Sequence, residues 1–165
     1  MDSLPISRSQ PAGKRRVSVN ELSAQLGKLP PQAIDLEEAV LGALMLERDA
    51  LTNVVDILKP ESFYKEGNQE IYRAILMLFN DSQPVDLLTV TSQLRKNGKL
   101  EMAGGAYYVT ELTTKVNSAA NIETHARIIT EQSIKRDLIQ ISSEVQRDAY
   151  GETVDVFELL DKTEQ

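Results

Sequence analysis

The chain contains no cysteine, which excludes disulfides, thiolate nucleophiles and every zinc site built on thiolates. Its single histidine, His125, leaves no cluster for a metal and no pair for a proton relay. The longest apolar stretch, Ala39 to Leu46, is far too short to cross a bilayer. The opening Met1-Asp2-Ser3-Leu4-Pro5 lacks the basic-then-apolar run of a secretory leader. Phosphate-cradling loops are missing too. The Gly-Lys pairs beginning at Gly13, Gly27 and Gly98 run on into Arg15, Leu29 and Leu100, so G-x-x-x-x-G-K-S/T does not occur, nor do G-x-G-x-x-G and G-x-S-x-G. These absences argue against a nucleotide-dependent enzyme within this segment. They point to a soluble, non-membrane protein of a reducing compartment, most simply the cytoplasm.

What is present is a 165-residue chain with 41% hydrophobic residues, enough for one ordinary core. Its formal charge of −7 is unevenly spread. Residues 1–28 carry Arg8, Lys14, Arg15, Arg16 and Lys28 against Asp2 and Glu21, a net of +3, which leaves −10 on residues 29–165. Phosphate contacts need clustered Lys and Arg, so a body this acidic is a poor nucleic-acid binder and suits a scaffold or partner-binding role. Three basic residues at 14–16 are too few to reverse that reading.

Residues 1–28 lack a sustained apolar period and read as a flexible basic tail, although Val17, Val19, Leu22 and Leu26 give a short segment able to dock. Pro30-Pro31 marks the boundary of the body. Asp35 and Glu38 have the spacing of a capping box before Leu36, Val40, Ala43 and Leu44. Leu51, Val54, Val55 and Leu58 predict a second helix stopped by Pro60, and Phe63-Tyr64 a short turn closed by Gly67-Asn68. Ile71 to Phe79 predict a third helix, and Leu87, Val90 and Leu94 a fourth that ends at Asn97-Gly98. No convincing alternating strand is found. The fold class is therefore all-α: a globular multi-helix head over residues 29–100, followed by a protruding helical hairpin with one long helix over residues 101–150.

Gly104-Gly105 reads as the turn into that hairpin, since Ala106 to Tyr150 contain neither Gly nor Pro. A short helix around Val109 and Leu112 precedes a long one from about Ser118 to Ala149, capped by Ser118 or Asn121. Such a helix measures roughly 48 Å at 1.5 Å per residue, more than the roughly 40 Å breadth of a compact domain of this size. It must project. Ile134, Leu138, Ile141 and Val145 step like a coiled-coil seam, and Ile122, Ala126 and Ile129 step likewise, but the five-residue gap between the two sets shifts the stripe. One helix thus faces two surfaces, and the uncovered part predicts pairing with another chain. The alternative is a bundle that folds the helix back on its own head. Val154 to Leu160 begin an apolar-faced helix with nothing to pack on, so residues 151–165 read as the start of a linker to a missing domain.

No catalytic constellation emerges. His125 has no identifiable partner, and the acids of 35–38 are explained by capping. Tyr107-Tyr108 have few basic neighbours and are read as packing residues rather than base-stacking ones.

Several segments, taken in order, resemble the N-terminal domain of the DnaB-type replicative DNA helicases. They are Pro30-Pro31-Gln32 with Ile34 to Gly42, Pro60 to Tyr64, Pro84 to Leu87 with Thr89-Val90, Gly98 to Leu100 with Gly104-Gly105 and Tyr108, and Ser118 to Asn121 with Ala126-Arg127-Ile128. The resemblance covers about residues 29–162. The family commonly has a histidine where this chain has Asn68 and an aromatic where it has His125; neither departure is expected to carry chemistry.

The resemblance implies a bacterial, cytoplasmic, hexameric helicase at the replication fork that unwinds duplex DNA with ATP. This chain would be its non-catalytic N-terminal collar, and the ATP and Mg sites would lie in the absent C-terminal ATPase domain. Implied partners are the chain itself, as dimers, trimers of dimers and hexamers, and the C-terminal domain of primase, with a helicase loader as a further candidate. Single-stranded DNA would pass through the parent ring, with weak or no binding to the fragment. The expected oligomer interface is Ile122, Ile129, Ile134, Leu138, Ile141 and Val145, and the primase-binding candidates are Asp35, Tyr108, Ile139 and Val145. A free-standing helical adaptor or dimerisation protein is the alternative.

Overall fold

The computed structural model describes residues 16–116, 119–151 and 155–164, and among them it contains helices and turns but no strand. Of the residues named above, those before Arg16, together with Ser118 and Val154, lie outside the described residues. The all-α class is observed.

Helix α2 (Ile34–Leu46) is the axis of the head. It is apolar nearly all round, with Val40, Leu41, Ala43, Leu44 and Met45 buried, and a helix of that kind must be enclosed. Around it pack α3 (Glu66–Asn80), α4 (Leu87–Lys96), α5 (Gly105–Thr114) and the first part of α6 (Ile122–Ala149). The periodic positions of α3 (Ile71, Tyr72, Ala74, Ile75 and Leu78) form its buried face. Each large apolar side chain there contributes about 1.5–3 kcal/mol relative to exposure. Tyr72 packs on Phe63 at 5.1 Å between ring centroids and donates its hydroxyl to the Leu58 carbonyl at 3.2 Å. Its burial pushes the phenol up to about 12. Helix α4 starts at a reciprocal cap: Asp86 Oδ1 accepts from the Thr89 amide and Thr89 Oγ1 from the Asp86 amide, both at 2.9 Å. It ends at Gly98, whose φ of +68° is the left-handed conformation the sequence predicts there.

Five local expectations are corrected. Residues 51–58 form a short 3₁₀ turn, Ala50–Asn53, and further turns instead of an α-helix. The run Thr52-Asn53-Val54-Val55 is poor in helix formers and Asp49 supplies no cap bond, yet Leu51, Val54 and Leu58 still fill the core. Gly67 and Asn68 lie inside α3. Helix α2 begins at Ala33 without a side-chain cap, so Asp35 and Glu38 form no capping box. The supposed tail is structured from Ser18: α1 (Val19–Gln25) opens with a Ser18–Glu21 capping box and packs on α6.

The fifth correction concerns α5. It packs on α2 and α4 and belongs to the head, and the hairpin partner of α6 is α7 (Val156–Glu164). Gly42 permits this, because a Cβ there would lie 2.2 Å from the Leu112 carbonyl oxygen. Only a glycine lets α2 and α5 approach so closely.

Candidate interaction surface

Helix α6 has 28 residues, so it runs about 42 Å. Its first part is head core, with Ile122, Ala126 and Ile129 all buried. Past that point the stripe turns outward: Ile134, Leu138 and Ile141 are 53%, 57% and 46% exposed, and Val145 is half-buried. The five-residue offset in the sequence is thus the place where one helix passes from core to surface. Of the six residues expected at an interface, Ile122 and Ile129 are committed to the head instead, because their turns of α6 lie against α2 and the 3₁₀ segments. The other four share the projecting half.

At the joint between head and projection lies a polar network that the sequence reading missed. Glu37 on α2 is buried, and burial raises its carboxyl above the ordinary value despite four stabilising contacts. Its Oε1 accepts from the Tyr64 amide at 2.6 Å, and its Oε2 accepts from Asn68 Nδ2 at 2.9 Å and, more weakly, from the Lys65 amide at 3.5 Å. Asn68 is fully buried, and its Oδ1 accepts from the Tyr108 hydroxyl at 2.8 Å. The same hydroxyl reaches Glu38 Oε1 at 3.2 Å, and Glu38 Oε2 accepts from Lys115 Nζ at 3.1 Å. Burial and the neighbouring Glu38 carboxylate hold the Tyr108 phenol well above its usual range. Lys65 Nζ sits 3.9 Å above the Tyr108 ring.

Arg136 completes the joint from α6. Its guanidinium donates to the Pro31 carbonyl at 2.7 Å and the Ser62 carbonyl at 2.9 Å, and lies 5.3 Å from the Tyr64 ring centre. Burial lowers its pKa while the nearby Glu37 carboxylate raises it; burial is the larger effect. Long-range hydrogen bonds of this kind leave no periodic mark in a sequence.

The four candidates for a second partner fall into two places. Asp35 is exposed at the start of α2, close enough to Lys115 to act on its charge, and Lys115 links it to Glu38 and Tyr108 on the head. Ile139 and Val145 are half-buried on the projecting part of α6. Among the described residues no group of His, Asp and Glu side chains could hold a metal ion, and no helix is long and apolar enough to cross a membrane.

The chain is thus an all-helical head continued by a long helix whose second half carries an exposed apolar stripe. A family model described as "DnaB-like helicase N terminal domain" matches residues 29–131, and the chain belongs to that family. It is 46% identical over 160 residues to the replicative DNA helicase DnaB of Rhodothermus marinus, covering 97% of this chain and 17% of that protein. It is 44% identical over 138 residues to the replicative DNA helicase DnaC of Bacillus subtilis (strain 168), covering 84% and 30%. The chain therefore spans less than a third of these relatives. Among solved structures, the N-terminal domain of DnaB helicase from Mycobacterium tuberculosis superposes with a TM-score of 0.78 at 36% identity, covering 82% of this chain and 96% of that one. A DnaB-like replicative helicase, described together with its interactions with primase, gives a TM-score of 0.67 at 26% identity over 79% of this chain and 30% of that one.

Proposed function

We propose that this chain is the N-terminal collar module of a hexameric, ATP-driven replicative DNA helicase of the bacterial cytoplasm. It acts by assembly and docking, and catalysis belongs to a separate ATPase domain that holds ATP and Mg. The observation that carries the reading is the exposed stripe of Ile134, Leu138 and Ile141 on the projecting half of α6. Removing such side chains from water is the main favourable term in association, and their spacing suits a partner helix. Together with Val145 they form the self-association face, first as dimers and then as a trimer of dimers. Primase, through its C-terminal domain, docks at the joint of head and projection, where Asp35, Tyr108, Ile139 and Val145 are the candidate contacts. The acidic body gives single-stranded DNA little to bind, so DNA is threaded by the parent ring and not gripped by this module.

Native mass spectrometry of the chain, alone and with the C-terminal domain of its primase, tests this directly. Even-numbered assemblies carrying primase are expected. Leu138→Asp with Ile141→Asp should reduce the chain to monomers that keep their helical circular dichroism, because a self-association face cannot bury two unpaired charges. A double variant with unchanged assembly mass overturns the assignment of the stripe, and a monomer indifferent to primase favours a free-standing adaptor.

A further inference from the structure

The family model begins at residue 29, so α1 lies outside it. Yet α1 is built into the structure. Its capping box fixes the helix start, the Tyr64 hydroxyl donates to Asn20 Oδ1 at 3.3 Å, and Arg16 lies 4.0 Å from Glu144 on α6. The Arg136 bond to the Pro31 carbonyl holds the chain just downstream.

Counting about 100° per residue around α6, Ile134, Leu138, Ile141 and Val145 fall within an arc of roughly 60°. On one flank Lys162 of α7 donates to Asp148 at 2.9 Å and lies 3.9 Å from Glu144. On the other flank an open groove separates α6 from α1, with Leu22 and Leu26 on one wall and Leu138 and Ile139 on the other. Leu138 belongs to both groove and stripe. Leu26 stays 72% exposed on α1 although it faces apolar neighbours, which leaves room for an occupant.

Helix α7 carries a matching edge. Phe157 is 77% exposed and Leu160 lies one turn further on, also exposed, while Leu159 is turned inward. The charges match as well. The α7 helix has Glu158, Asp161 and Glu164, and its one cation, Lys162, is already paired within the chain. The segment at the groove carries Lys28 and Arg16, the latter already 4.0 Å from Glu144, against the one acid Glu21, and the sequence upstream adds Lys14 and Arg15, so the segment is net basic.

We propose that α1 is a working part of the self-association face: the groove between α1 and α6 receives the Phe157–Leu160 edge of α7 from a second copy of this chain. The contact is reciprocal, since each copy offers both a groove and an edge, as a two-fold interface requires. This inference rests on the reading of the α6 stripe as the self-association face and extends that face onto α1, which, like the stripe itself, lies outside residues 29–131.

Sedimentation equilibrium of the full chain tests it with variants at exposed positions, where an Asp costs the fold little. Leu26→Asp and Phe157→Asp should each weaken the dimer at least tenfold. The double variant should be little weaker than either single one, because the two remove the same contact. Leu29→Asp, exposed but outside the groove, should leave assembly unchanged. Raising salt from 50 to 500 mM should weaken the wild-type dimer, as opposite charges across the contact are screened. If Leu138→Asp dissociates the dimer while Leu26→Asp does not, the groove proposal is wrong and the stripe stands. If all three variants leave the dimer intact, the stripe itself is misassigned and the groove falls with it. Fully additive losses at Leu26 and Phe157 would show that the two do not meet. A wild-type monomer whose groove amides become protected only on adding the primase domain would give the groove to a different occupant and overturn the proposal.

Discussion

Asn68 donates its side-chain amide to Glu37 at 2.9 Å while its carbonyl oxygen takes the Tyr108 hydroxyl at 2.8 Å. A buried carboxylate on α2 is thereby tied through α3 to α5. Asn68→Leu should therefore be costly out of proportion to its size. It takes one donor from a buried carboxylate and the shorter acceptor from a half-buried phenol, and the expected loss is about 1–3 kcal/mol in urea unfolding. Asn68→His can offer one ring N–H and one ring nitrogen to the same two partners, and should recover most of the stability. A histidine variant as unstable as the leucine one would refute this account.

Glu37 also sets a pH signature. Its carboxyl is raised above the ordinary value of 4.5, with burial as the main cause. The folded chain therefore binds more protons than the unfolded one just above that value. Stability from this group falls as pH rises through the window and levels off above the folded pKa. Glu37→Gln removes the titration. Denaturant unfolding at a series of pH values should show the wild type losing stability relative to Glu37→Gln across that window, and parallel curves would contradict the assignment.

Arg136 makes two bonds that one ammonium group cannot reproduce. Replacing it with alanine leaves the Pro31 and Ser62 carbonyls short of donors and should cost about 2–3 kcal/mol. Lysine should restore less than half of that, since it lacks the planar fork. Thermal melts of the three proteins separate these outcomes.

Gly42→Ala probes the α2–α5 approach. The added methyl meets the Leu112 carbonyl and the Val116 side chain, so the helices must separate, at about 1–3 kcal/mol. Alanine is ordinarily the better helix residue. An unchanged or higher melting temperature would show that the contact relaxes freely.

Much of the head was legible because burial writes a period into the chain. The core face of α3, the end of α4 at Asn97-Gly98, and the shift of stripe between Ile129 and Ile134 all follow from spacing and turn chemistry. Burial without helix was not legible: Leu51, Val54 and Leu58 have helical spacing but reach the core from turns. The place of α5 was misjudged because a double glycine signals a break in the chain, not the direction in which the next helix packs. The joint was invisible for a different reason. Apart from the Asn68 side chain, Glu37 and Arg136 find their hydrogen-bond partners on backbone groups of distant segments, and backbone groups are the same at every position. A charged side chain that looks like one more solvated residue can then be the one that holds two parts together.

The attachment of α6 at Arg136 makes the rest of that helix a lever. From Arg136 to Ala149 the helix extends roughly 20 Å beyond its last firm hold on the head. A tilt of about 5° at the two carbonyls would move the far end by nearly 2 Å, a geometric gain set only by helix length. In the proposed ring every subunit would repeat the motion. A small rearrangement among Pro31, Ser62 and Arg136 would then be read out as a change in the width of the whole assembly.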